Sequence, residues 1–267
     1  MVLLSVPAIQ TSLGSYATGE INEVYGTNIK IERLGLKFNG DVELKSILIK
    51  DHFEAPMISV SELNTSVLSF AKIVSNELVF ADVDLYNLFF HVKTYKGESD
   101  TNLDVFVDKF DKQNPREKTG KFLLTSSSLS INNSVFRLTD ENKETPIVLD
   151  FTELTILATD FLISGPDIDA NIKRLSFVDS SGLVLKNIET AFSYTPTKML
   201  FSDLSIKTKS SLISGNLQFD YQREDLNSFS DKVYISGFFE NSSLDLEEFN
   251  LLYDEFGANQ KVQLNTA

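Results

Sequence analysis

Asn28-Ile-Lys-Ile-Glu-Arg-Leu-Gly-Leu-Lys-Phe-Asn-Gly-Asp-Val-Glu-Leu-Lys-Ser-Ile-Leu-Ile-Lys50 contains, in one stretch, the grammar that recurs along the rest of the chain. Ile29 and Ile31, then Leu34, Leu36 and Phe38, alternate with polar residues, the two-residue period of a strand with one face buried. The alternation changes phase at Glu32-Arg33, and a phase change inside a strand predicts a β-bulge. Asn39-Gly40 is the two-residue signal of a type I′ hairpin, which returns the chain through Val42, Leu44, Ser46 and Leu48.

Outward from this hairpin the pattern repeats. Met57–Val67, Glu77–Asp84 and Leu88–Lys96 read as strands, with a brief amphipathic turn at Leu68, Phe70, Ile73 and Val74. Leu103, Phe106, Val107 and Phe110 fall at helical spacing, and the Thr101-x-x-Asp104 pair can cap the first turn of a helix over 101–110. Asp111–Gly120 is a polar connection. Beyond it strands are expected at Phe122–Ile131, Ser134–Thr139, Ile147–Leu157, Phe161–Ser164, Ile168–Val178, Leu183–Tyr194, Leu200–Thr208, Ser211–Tyr221 and Lys232–Glu240. Asn132-Asn133, Asp140-Glu-Asn142, Ser164-Gly-Pro166, Asp179-Ser-Ser-Gly182 and Thr195-Pro196 are read as the turns between them. No strand is followed by a long crossover helix, so an antiparallel sheet is expected.

Amphipathic helices are expected at both ends. Pro7–Tyr25 places Ile9, Leu13, Ala17, Ile21 and Val24 near helical spacing before Gly26. Asp245–Phe256 carries Phe249, Leu252, Tyr253 and Phe256, with an Asp245-x-x-Glu248 cap and a strand-like Val262-Gln-Leu264 beyond it. The resulting division is 1–26, an N-terminal helix; 27–110, a β block with its closing helix; 111–120, a linker; 121–242, continuing strands; and 243–267, a helix and the start of another strand. The apolar Val2, Leu3, Leu4 and Val6 before Pro7 are too few to span a bilayer. They read as the membrane-proximal tail of a helix whose beginning lies upstream.

With 267 residues, 42% of them hydrophobic, the chain can bury a sizeable core. Lys and Arg total 24 against 38 Asp and Glu, a net charge of −14, which argues against wrapping nucleic acid or clinging to anionic lipid headgroups. Contact with lipid is therefore expected through apolar surface. Without cysteine there are no disulfides and no thiolate metal sites.

Reaction chemistry is sparse. His52 and His91 have no second ligand at metal-binding spacing, and both read as packing or surface residues. Asp82-Val-Asp84 and Asp167-Ile-Asp169 resemble acidic metal pairs, but carboxylates two apart on a strand mark a solvated face. The serine clusters Ser126-Ser-Ser128 and Ser210-Ser211 lack a nucleophile elbow. Phosphate loops and dinucleotide fingerprints are absent, so no catalytic residue and no cofactor is expected.

Apolar alternation remains. Ile213, Leu217, Phe219 and Tyr221, with Gly215 between them, fall on one face, as do Leu200, Leu204 and Ile206, and likewise Leu123, Leu129 and Ile131. These ten apolar residues are the candidates for a groove that accepts lipid tails. The rival reading pairs the same faces in a β-sandwich scaffold, whose free strand edge would dock a partner by strand addition.

A resemblance favours the groove. Ser5-Val-Pro-Ala-Ile-Gln-Thr11, Gly26-Thr-Asn-Ile29, Asp41-Val-Glu-Leu-Lys45 with Ile49-Lys-Asp51, Glu62-Leu-Asn-Thr65, Val67-Leu-Ser-Phe70, Asp84-Leu-Tyr-Asn-Leu88, Thr94-Tyr-Lys-Gly97 and Thr101-Asn-Leu-Asp104 follow one another in this order. In that respect the stretch from Leu4 to Asp104 resembles the start of the TamB/AsmA-like family of bacteroidete-type bacteria. From Leu129 onward the likeness rests on Ile131-Asn-Asn-Ser134, Ser181-Gly-Leu183 and Leu204-Ser-Ile-Lys-Thr208. The resemblance implies a mainly β protein with a long, curved, antiparallel sheet forming an open β-taco. It implies an inner-membrane anchor upstream and a body on the periplasmic face of the inner membrane of a Gram-negative bacterium. Its implied partners are phospholipid acyl chains and an outer-membrane barrel of the TamA type, with roles in lipid transport, outer-membrane protein assembly and secretion. This chain would be an N-terminal fragment of such a protein.

Overall fold

A computed structural model describes residues 15, 18–23, 25–37, 40–67, 77–112, 123–222 and 232–248. Among these residues thirteen strands form one curved sheet. They are β1 (Asn28–Leu36), β2 (Asp41–Lys50), β3 (Pro56–Val67), β4 (Glu77–Tyr86), β5 (Phe89–Thr94), β6 (Leu123–Asp140), β7 (Ile147–Ser164), β8 (Asp167–Asp179), β9 (Val184–Leu185), β10 (Asn187–Thr195), β11 (Lys198–Lys207), β12 (Leu212–Asp220) and β13 (Tyr234–Phe239). The order across the sheet is β1-β2-β3-β4-β6-β7-β8-β10-β11-β12-β13, with β5 beside β3 and β6, and β9 beside β8. Eleven strands at ~4.8 Å spacing make the sheet roughly 50 Å wide. The helix α1 (Asn102–Lys112) lies against β5, and all other extensive contacts between elements run between sheet neighbours.

Pairing is antiparallel except where β4 and β5 run parallel to β6. This corrects the expectation of a wholly antiparallel sheet. The chain passes from β5 through α1 to β6, so one crossover helix does join parallel neighbours. The helix itself is where the sequence places it, with the cap intact: the Asp104 carboxylate accepts from Thr101 N–H (3.0 Å) and Thr101 Oγ1 accepts from Asp104 N–H (3.1 Å).

Two further expectations change. The strands expected on either side of Asn132-Asn133 are the single strand β6, and those on either side of Asp160 are the single strand β7. Asn133 (φ 47°) and Asp160 (φ 53°) occupy the left-handed region, but inside strands, where they form bulges and not turns. The turn after β1 also differs in type. Lys37 N–H bonds Asp41 O and Gly40 N–H bonds Lys37 O, which leaves three loop residues with Gly40 at φ 91°, where a two-residue turn was expected. The same closure recurs at Asp51–Ala55, with Glu54 at φ 61°, and at Asp179–Leu183, with Gly182 at φ 92°.

Residues 18–23 are helical, and 246–248 begin a helix whose first amides, Glu247 and Glu248, donate to Asp245 Oδ1. Glu248 does not complete the expected capping box; it accepts from Thr208, Ser210 and Ser211 of the β11–β12 turn. The helix α1 takes in the first two residues of the linker expected at 111–120; Val2, Leu3, Leu4 and Val6, the turn at Leu68–Val74, the remaining linker residues 113–120 and the segment 249–267 lie outside the described residues. No helix among the described residues is long and apolar enough to cross a membrane.

Candidate functional site: one apolar sheet face

Residues paired across a ladder share a face, and each bulge resets the two-residue alternation. The registers therefore sort every strand into two faces. Glu32, Ser46 and Ser61 form one line of residues left out of the pairing across β1, β2 and β3, where the register itself continues and the alternation changes phase in all three strands together, and Ser46 (φ 52°) takes the left-handed conformation. Ala81, Ser127 and Asp160 form a second line across β4, β6 and β7. Asn133 and Glu153 (φ 52°), Lys173 in β8 and Asp203 (φ 51°) in β11 are further irregularities, and the register also shifts near the strand ends at Ile49/Lys50 and Leu138/Thr139.

Once these resets are made, one face is predominantly apolar. On β1–β3 it carries Ile29, Ile31, Leu34 and Leu36, then Val42, Leu44, Ile47 and Ile49, then Ile58, Val60 and Leu63. On β4–β7 it carries Val83, Leu85, Phe90, Val92, Leu124, Leu129, Ile131, Phe136, Leu149, Phe151, Leu154, Ile156 and Phe161. On β8–β12 it carries Ile168, Ile172, Leu175, Phe177, Ile188, Phe192, Tyr194, Met199, Phe201, Leu204, Ile206, Ile213, Leu217 and Phe219. The opposite face is polar, with Lys45, Glu62, Asn64, Asp82, Asp84, Ser128, Ser130, Asp169, Asn171, Glu189, Ser193, Ser205, Ser214, Asn216 and Gln218. Asp82, Asp84, Asp167 and Asp169 all lie on it, at solvated positions.

Most of the candidate lipid-contact residues belong to the apolar face: Leu129, Ile131, Leu204, Ile206, Ile213, Leu217 and Phe219. Tyr221 continues it, stacked on Tyr194 at 6.3 Å between centroids, and burial pushes its hydroxyl pKa up to about 12. Leu123 and Leu200 do not belong. Leu123 pairs with Ser164, and Leu200 pairs with Ser193 and Gln218, because the extra residues Ser127 and Asp203 invert the phase within each strand. Leu48, opposite Lys30 and Ser59, is inverted by Ser46 in the same way.

Sequence reading missed two aromatic rows. Phe90, Phe136, Phe151 and Phe177 follow one another across β5–β8 at 5.6, 6.0 and 3.9 Å between ring centroids. Phe192, Phe201 and Phe219 do the same across β10–β12 at 5.1 and 5.9 Å. Such pairs contribute beyond their buried area and lose little rotamer freedom, so they make a stiff apolar wall. The signal was present in the 21 Phe, but only the register aligns them.

Burial is concentrated on this face without being completed there. Val60, Val92, Leu154, Ala158, Ala170, Leu185 and Leu204 are buried, whereas Leu157, Val184 and Leu212 of the other face are exposed. Nearly all remaining apolar-face residues are only half-buried. A dry core packed by a second layer would bury them fully. Among the described residues no second layer covers this face, and a broad apolar face without a cover is the mark of an interaction or ligand surface.

Within the strands, four buried polar residues interrupt the apolar face: Thr65, Ser126, Ser134 and Thr190. Each meets a backbone group beside a bulge. Thr65 Oγ1 donates to Asp82 O, Ser126 to Ala81 O and Ser128 O, Ser134 to Asn132 O, and Thr190 to Ser202 O. Ser134 Oγ also accepts from Leu88 N–H. These hydroxyls satisfy carbonyls beside the bulges, so the bends themselves are covered on the apolar side; at the end of β8 the buried Asp179, paired with Phe151, keeps an Oδ1 without a partner.

One end of the sheet is closed by a polar cluster. The Asn102 side chain, 1% exposed, donates to His91 O (3.1 Å) and accepts from Lys93 N–H (2.9 Å), occupying the edge of β5 as a neighbouring strand would. It also donates to Asp51 Oδ2, as does the Tyr95 hydroxyl at 2.7 Å. Burial pushes the Asp51 pKa up, but these bonds and those from Ala55 and Phe53 N–H outweigh it, and the carboxyl titrates below its ordinary value. Asn22 plays the same part on β1, donating to Ile29 O and accepting from Ile29 N–H, both at 2.8 Å. Asp51, Tyr95 and Asn102 come from three separate stretches of the resemblance and meet here.

His91 lies on the polar face beside Thr139 Oγ1 (2.8 Å), and His52 pairs with Glu98 (3.0 Å). No group of carboxylates and histidines among the described residues could hold a metal ion. No family model and no curated protein matches the chain.

Proposed function

We propose that this chain is a non-enzymatic segment of a lipid carrier, in which the apolar sheet face forms a groove that shields phospholipid acyl chains. The observation that carries this reading is the half-buried apolar face running from Ile29 to Phe219, upon which no second layer lies among the described residues. Burial at about 0.8 kcal/mol per methylene holds a chain strongly, while the lack of directional contacts lets it slide. Headgroups stay outside in water.

The resemblance to the TamB/AsmA-like family supports placing the segment on the periplasmic side of an inner membrane. There it would move phospholipid between the two membranes or assist outer-membrane protein assembly and secretion. Native mass spectrometry of the purified chain tests the reading. Co-purifying phospholipid, removable by detergent and restored from vesicles, is the expected result; a stable chain that never takes up lipid refutes it.

A second reading has its own observation. β13 is an edge strand with Tyr234 and Phe238 exposed on the polar face and Ile235 and Phe239 exposed on the apolar face. Such an edge suits strand addition by a partner, such as an outer-membrane barrel of the TamA type.

A further inference from the structure

We propose that the polar face carries a binding site for a phosphate-bearing ligand, at a gap in the ladder between β8 and β10. Pairing of these strands runs from Tyr194–Ile168 to Thr190–Ile172 and stops, resuming only at Phe177–Leu185 on β9. Across the gap Lys186 N–H turns away to Lys207 O of β11. The bulge at Lys173 widens the interruption from the other side.

A shallow depression lies over this gap, lined by Lys173, Arg174, Lys186, Asn187 and Lys207. Four cations meet there in a chain of net charge −14. None of the four makes an ion pair with a described residue, although Lys45, Lys50, Lys93, Arg137 and Lys198 all do. The Glu189 carboxylate accepts from Asn187 Nδ2 at 2.6 Å, and Lys186 Nζ reaches the Lys209 carbonyl at 3.4 Å. Asn187 Oδ1 is buried without a partner.

A cluster of like charges without counter-charge is unfavourable alone and becomes favourable around an anion. The guanidinium fork of Arg174 and the ammonium groups of the three lysines suit a tetrahedral oxyanion. Singly protonated inorganic phosphate or a phosphate monoester offers a P–O–H, and a glycerol phosphodiester headgroup offers glycerol hydroxyls, either of which is the donor that Asn187 Oδ1 lacks. The site lies on the opposite face from the aromatic rows, so it stands or falls independently of acyl binding.

The test titrates the full chain with inorganic phosphate and glycerol 3-phosphate by calorimetry, and floats it with vesicles of phosphatidylcholine with and without phosphatidylglycerol. Arg174→Gln combined with Lys207→Gln is the comparison. Saturable binding that weakens at least tenfold in the double variant, and falls steeply as salt rises from about 50 to about 200 mM, supports the site. If only phosphatidylglycerol vesicles bind, the phosphate is a headgroup's; if only the soluble anions bind, it is a free ester's. No saturable binding of any of these ligands, or equal binding by the variant, overturns the proposal. Both substituted side chains are exposed; should the double variant nevertheless misfold, Lys173→Gln with Lys186→Gln replaces it and is read by the same criteria.

Discussion

Ile206 and Leu200 lie six residues apart on β11, and simple alternation would put them on the same face; the extra residue Asp203 puts them on opposite ones. Aspartate at each position separates a groove from a dry core. In a closed core an ionised carboxylate at 206 would have to be neutralised, and a pKa rise of three to four units costs about 4–5 kcal/mol, enough to unfold a domain of ordinary stability. On the half-buried face the new carboxylate keeps its water, and the loss is that of the cross-strand pairs with Ile188 and Ile213, roughly 1 kcal/mol. A bound acyl chain would strip that water, so Ile206→Asp is expected to leave the lipid-free protein folded while lowering lipid occupancy by two orders of magnitude or more. Leu200→Asp, opposite Ser193 and Gln218, is expected to change neither stability by more than about 1 kcal/mol nor lipid content. Urea unfolding of the delipidated proteins and native mass spectrometry of the loaded ones read the two quantities. Unfolding of the chain by Ile206→Asp would show a packed core, and loss of lipid on Leu200→Asp would show that the faces are wrongly assigned.

Asn102→Ala strands the His91 carbonyl and the Lys93 amide at a buried edge and is expected to cost about 2–4 kcal/mol in urea, well above an exposed control such as Asn216→Ala. Burial, then the charges of Arg137 and Lys93, hold the His91 pKa below its ordinary 6.5. Its neutral form is therefore favoured by folding, so its contribution is complete above pH 6.5 and is lost as the pH falls from there toward the folded value; the slope of stability against pH in that window should flatten in His91→Gln. Gly215→Ala places a methyl group into the backbone of Phe238 and Phe239, and hydrogen exchange should show β13 losing protection while β11 keeps it.

The bulges decide what was legible in the sequence. At Glu32-Arg33 the flanking residues are apolar on both sides of the slip, so the change of phase is visible as Ile29, Ile31, then Leu34, Leu36. At Ser126-Ser127-Ser128 and at Ser202-Asp203 the slip falls among small polar residues, and the apolar Leu123 and Leu200 stand on the solvated face. Alternation counted straight through them then assigns both to the wrong side. The Asn132-Asn133 pair misleads in the opposite direction, because the left-handed conformation that suits asparagine serves a turn or a bulge equally well. The parallel junction left no local mark. An 11-residue helix is about 16 Å long and reads as a cap on the preceding block, while the partner of β4 and β5 lies beyond a polar connection.

Curvature and greasiness are in conflict, and the four buried hydroxyls show how the chain reconciles them. Bending a sheet requires bulges, each bulge frees backbone groups, and a free carbonyl on an apolar surface would cost more than the cross-strand contacts around it contribute. Placing Thr65, Ser126, Ser134 and Thr190 at those points satisfies the carbonyls from the same strand or the next, with the hydroxyl turned down into the sheet. A sandwich scaffold has no need to keep such a face uninterrupted, because its second layer could supply the partners. A surface over which methylenes must slide does need it, since each bare polar group would be a point of retention or a point of wetting. Replacing Ser126 and Thr190 with Ala and Val should therefore leave the apolar area unchanged or larger, yet reduce lipid exchange between vesicles in proportion to the carbonyls exposed; unchanged exchange with unchanged stability would separate these hydroxyls from transport altogether.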